Sequence, residues 1–126
     1  MMQTETRPFV ERSQLIDRGL PELCDLAAAG LVQMFDSERQ LFCHTYTRAR
    51  EGMSRQGLSQ RYTMMTLLGL HRYEASGRDS PIAIAPVLER LLRDTSWLTN
   101  TGDLGLLLWT CAELIPDRVA QVYSFV

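Results

Sequence analysis

The chain has 126 residues, 45% of them apolar and 22% charged, with a formal net charge of −2. That is the size and mix of one soluble globular domain, and the basic residues form no run that would mark a nucleic-acid footprint. Three widely spaced cysteines, Cys24, Cys43 and Cys111, fit reduced thiols of a cytoplasmic protein rather than a disulfide framework, and MMQTETRPFVERSQ lacks the apolar core of a signal peptide.

Residues 1–8 read as a loose terminus, and residues 9–126 as a single helical domain. A short helix is predicted from Phe9 to Arg18, closed by Gly19. Pro21 suits the first position of a new helix, with Glu22 in the favourable first turn. Leu20, Leu23, Ala27, Leu31 and Met34 then share one face, and Glu22, Asp25 and Gln33 lie opposite, so this helix is amphipathic.

Residues 36–57 admit two readings: continued helix, or an extended segment crossing the molecule. Leu41 to Thr47 is rich in aromatic and β-branched residues, which weakens the helical one. Gly52 and Gly57 mark loops, and so long a connection in a compact domain is often functional.

Two stretches organise the rest. Ser59 to Glu74 (SQRYTMMTLLGLHRYE) has Ser59 as a plausible N-cap, and Gly102 to Leu114 reads GDLGLLLWTCAEL. Both have helical length and are apolar on nearly every side, which predicts helices buried all round. Both fall short of the ~20 apolar residues that cross a membrane. Between them GRDSP is a loop, and Pro86 requires a helix that starts close to it or kinks there. Ile84, Val87, Leu88, Leu91 and Leu92 share a face of that helix, with Glu89, Arg90 and Arg93 opposite. DTSWLTNTG is the next loop, and Pro116 ends the last long helix and is placed to begin another.

The order is outer, inner, outer, inner and the start of an outer helix, with the inner helices beginning about 43 residues apart. The expectation is an all-α fold of stacked α/α hairpins, with a four- to five-helix bundle as the alternative.

QRYTMMTLLGL, from Gln60 to Leu70, and TGDLGLLLW, from Thr101 to Trp109, give a pattern that resembles part of an α/α toroid. This is the six-hairpin barrel of terpenoid cyclases, protein prenyltransferases and several carbohydrate-active enzymes. In such toroids the loops before the inner helices line a central cavity. The resemblance implies a partial toroid: the N-terminal portion, or a small relative, of such an enzyme. It is one of helix order, since the cyclases' Asp-rich cluster and Gln-Trp motifs and the prenyltransferases' zinc constellation are absent.

On that reading the site residues are Asp103 and Arg61 as the catalytic pair, with Ser59, Tyr62, Asn100 and Trp109 binding substrate. Asp103 in a cavity mouth has the chemistry of a general acid or base. Its structural role is a charge that favours the helix dipole by about 0.3–1 kcal/mol. An ion pair between Arg61 and Asp103 satisfies both groups. Asn100 also suits a turn, and Trp97 and Trp109 also suit a core.

Cys43 and His44, adjacent on a strand, would point to opposite faces and so could not meet as a catalytic pair. The cysteines and histidines lack zinc spacing, and neither a metal nor a cofactor is expected. No phosphate loop, GxSxG or dinucleotide fingerprint occurs. The second functional reading is a non-enzymatic helical protein-interaction module. The partners expected are a small-molecule ligand, further helical hairpins or a protein at the C-terminal edge, or a second copy; nucleic acid and a membrane span are not.

Overall fold

A computed structural model describes the backbone of residues 7–124 and the side chains of residues 19–124. The expectations for residues 1–6 and for Val126 lie outside these. The elements are α1 (Arg7–Met34), β1 (Phe35–Asp36), β2 (Leu41–Ala49), β3 (Gly52–Ser59), α2 (Gln60–Ala75), α3 (Ile84–Arg93), α4 (Thr101–Leu114) and α5 (Val119–Tyr123), with a 3-10 turn at Pro116–Arg118.

The fold is α+β, which overturns the all-α expectation in both its forms: neither a partial toroid nor a four- to five-helix bundle describes it. The difference lies in residues 35–59, which form an antiparallel sheet in the order β1-β2-β3. β2 and β3 are joined by Arg50 and Glu51, with Ala49 paired to Gly52. Gly52 takes a φ of 115°, a backbone conformation that favours glycine at a tight turn. The aromatic and β-branched run from Leu41 to Thr47 was the signal for this strand.

Gly57 also has a positive φ, 71°, and a side chain there would collide with the imidazole of His44 on the neighbouring strand. Cys43 is buried and His44 exposed, so the two adjacent side chains point to opposite faces.

Helix α1 is a second correction. It runs unbroken past Gly19 and through Pro21, where two helices were expected. Pro21 removes one i→i−4 hydrogen bond, but the helical sequence on either side continues through it. At its C-terminal end Phe35 packs on Phe42, ring centroids 4.8 Å apart, and Arg55 Nε on β3 donates to the Gln33 carbonyl at 2.6 Å.

The core lies where α2, α3 and α4 meet the sheet. Phe42, Met64, Leu67, Leu70, Val87, Leu88, Leu91, Leu107, Cys111 and Val122 form one buried cluster. Thr63, fully buried, ties α2 to the sheet: its Oγ1 accepts from the Phe42 N–H at 2.9 Å and donates to the Ser59 carbonyl at 2.6 Å. The amphipathic reading of α3 agrees with its buried Val87, Leu88, Leu91 and Leu92. Pro86 sits in its first turn, where it costs least.

The expectation of two helices buried all round is not met. α2 buries Thr63, Met64, Leu67, Leu68 and Leu70, yet Tyr62 and Met65 stand 47% and 52% exposed. α4 buries Leu107, Thr110 and Cys111 and leaves Trp109 exposed. α1, α3, α5 and the sheet leave these side chains of α2 and α4 uncovered. No helix among the described residues is long and apolar enough to cross a membrane.

Candidate functional site

The polar residues singled out in the sequence gather at the first turns of α2 and α4. Ser59 caps α2, its Oγ accepting from the Tyr62 N–H at 3.2 Å. Asn100 caps α4, its Oδ1 accepting from the Asp103 N–H at 2.8 Å. Arg61 Nε donates to Asp103 Oδ1 at 2.7 Å, and Asn100 Nδ2 donates to Asp103 Oδ2 at 3.0 Å. Both carboxylate oxygens of Asp103 are therefore engaged within the chain. Gly102 permits this approach, since a side chain there would press on Arg61 and on Asn100. Arg61 and Asp103 are thus brought together as an ion pair, with Arg61 53% and Asp103 15% exposed.

Tyr62 and Trp109 do not join that cluster. Tyr62 lies beside His44, ring centroids 5.7 Å apart, and faces a different surface. That surface is an open apolar groove of about 860 Å³ along the seam of α1 and α2. Leu20, Pro21, Cys24, Ala27, Ala28 and Leu31 line it from α1. From α2 come Tyr62, Met65, Thr66, Gly69, Leu70 and Arg72, and Tyr73 and Arg78 close one end.

The groove follows from the local sequence. Small residues face the seam, and Gly69 sits mid-helix with nothing within 4 Å of where its Cβ would be. A mid-helix glycine costs about 1 kcal/mol relative to alanine, and no close packing among the described residues requires it here. On α1, Leu20, Leu23 and Leu26 are 54%, 61% and 70% exposed. Helices draw most of their stability from packing an apolar face, and this face has no partner among the described residues.

One polar cluster holds the two helices together. Asp25 on α1 accepts from the Tyr73 hydroxyl at 2.6 Å and from Arg78, Nε at 2.5 Å and an Nη at 3.2 Å. The hydrogen bonds from Arg78 and then from Tyr73 hold the Asp25 carboxyl below its ordinary value. The bond to Asp25 raises the Tyr73 phenol in turn.

Of the cysteines, Cys24 is exposed on the groove and Cys43 and Cys111 are buried. Burial pushes the Cys111 thiol up. Among the described residues no group of three or more His, Cys, Asp or Glu side chains is placed to hold a metal ion.

The sequence reading named Tyr62 but missed the groove. The signal was present in Met65, Gly69 and Tyr73, which share one side of α2 with Tyr62, and in Leu26, which widens the apolar face of α1 beyond Leu23. No protein-family model, no curated protein and no solved structure matches this chain.

Proposed function

We propose that the chain is a protein-interaction module whose working surface is the groove between α1 and α2, and that the groove receives an apolar or amphipathic helix. The observation that carries this is the pair of half-exposed apolar faces, Leu20 and Leu23 on α1 with Tyr62 and Met65 on α2, flanking a floor of small residues. Helix-in-groove recognition uses such a surface, with anchors at i, i+3, i+4 and i+7.

The groove volume also lies in the range of small-molecule sites. The groove is open, however, and the exposed leucines of α1 continue past it to Leu26, which favours an elongated partner. An enzymatic reading that uses Asp103 and Arg61 has less support, because each already holds the other and Asn100 binds the second carboxylate oxygen.

Gly69→Leu provides the test. Its side chain enters open space, and leucine favours helix over glycine by roughly 0.8 kcal/mol, so the variant folds at least as stably as the parent. It also obstructs the groove. A synthetic amphipathic helix with leucine at i, i+3, i+4 and i+7 should shift the amide resonances of α1 and α2 in the parent and leave those of Gly69→Leu unmoved. Equal shifts in both proteins, or none in the parent at a dilution where it is a single chain, would refute the docking surface.

A further inference from the structure

The surface that holds the groove also carries a ridge. At 100° per residue Leu20, Leu23, Leu26 and Ala27 fall within about 120° on α1, so the helix presents an apolar edge beside the groove it lines. A groove that accepts an apolar helix and an apolar helical ridge thus share one patch. We propose that the occupant is α1 of a second copy of this chain, with a two-fold axis placing each α1 in the other's groove. This rests on the docking reading above and names the partner.

A two-fold interface must be self-complementary, the same patch serving on both copies, and a ridge adjoining its own groove meets that condition. At about 150–200 Å² for a large side chain, the exposed parts of Leu20, Leu23, Leu26, Tyr62 and Met65 offer roughly 450 Å² per copy, or roughly 900 Å² for two. That lies below the ~1,000–1,200 Å² at which stable specific interfaces begin. Arg72 is the one cation of the groove with no hydrogen bond or ion pair among the described residues; it is exposed in the last turn of α2, where the helix dipole favours it.

Light scattering of the whole chain across a micromolar concentration series tests this. The mass should rise from that of one chain to that of two and stop there. Leu23→Glu removes the ridge at an exposed position, and Gly69→Leu obstructs the groove. Each should weaken association by about tenfold or more while the thermal unfolding midpoint stays at or above that of the parent less a few degrees. A mass of one chain throughout, or growth beyond two chains, overturns the inference. If the chain is a monomer that still binds the leucine peptide through the groove, only the second-copy inference falls. If the monomer binds no peptide, the docking reading falls with it.

Discussion

Tyr73 on α2 donates its hydroxyl proton to Asp25 on α1 at 2.6 Å, and the same carboxylate holds Arg78. This is the polar clasp across the seam from which the groove is made. Asp25→Ala removes both partners at once. The amides of residues 19–34 should then exchange with solvent faster, while the core amides of α2 and α4 keep their protection.

The clasp depends on pH in a defined direction. Arg78, and then Tyr73, lowers the folded pKa of Asp25 beneath that of the unfolded chain. A lowered carboxyl contributes fully above the ordinary value of about 3.9, and its contribution is lost as pH falls through the lower folded value. The ratio of the observed exchange rate of α1 to the intrinsic rate at the same pH should therefore be unchanged from neutral pH down to about 5 and rise only below about 4. A rise centred near pH 6 would mean that another group holds the helix.

Thr63 joins α2 to the sheet by accepting from the buried Phe42 N–H. Thr63→Val keeps the shape and leaves that donor without its partner, a loss of about 1–3 kcal/mol. Thr66→Val removes a hydroxyl that bonds only the preceding turn of its own helix, at Tyr62, and should cost well under half as much. Chemical denaturation of the two variants checks the contrast.

Arg61 and Asp103 form a pair in which Arg61 is half exposed. Such pairs are worth up to about 1 kcal/mol. Arg61→Gln should stay within that range. Asn100→Ala should cost about as much or more, because it removes a helix cap and a second hydrogen bond to Asp103. A loss of several kcal/mol for Arg61→Gln would show the pair to be buried, contrary to its exposure here.

Much of the helical half was legible in the sequence, and the reasons are local. Ser59 caps α2, Pro86 marks the first turn of α3, Pro116 follows the end of α4, and the apolar face of α3 is the one its spacing gives. The sheet was harder to read. Leu41 to Thr47 carries strand residues, but β2 buries Phe42 and Cys43 side by side, which hides the alternation of period two. Pro21 punctuates the sequence, yet α1 runs through it without a break.

The groove was missed for a different reason. Apolar residues all round α2 and α4 signal that something covers them, but not whether it is the same chain or another. Tyr62, Met65 and Trp109 remain exposed because this chain supplies no cover for them among the described residues. The Arg61–Asp103 contact, by contrast, was inferable from charge and position alone.

Cys24 provides the most direct measurement of the central claim, that the groove is filled by a helix. It is the exposed thiol on the groove, whereas Cys43 and Cys111 are buried. Its rate of reaction with an aromatic disulfide reagent should be followed against protein concentration, and again with the leucine peptide added to dilute protein. Cys24 should label fast in dilute protein and about tenfold or more slowly under either treatment once the groove is filled. A rate unchanged by both would contradict that claim.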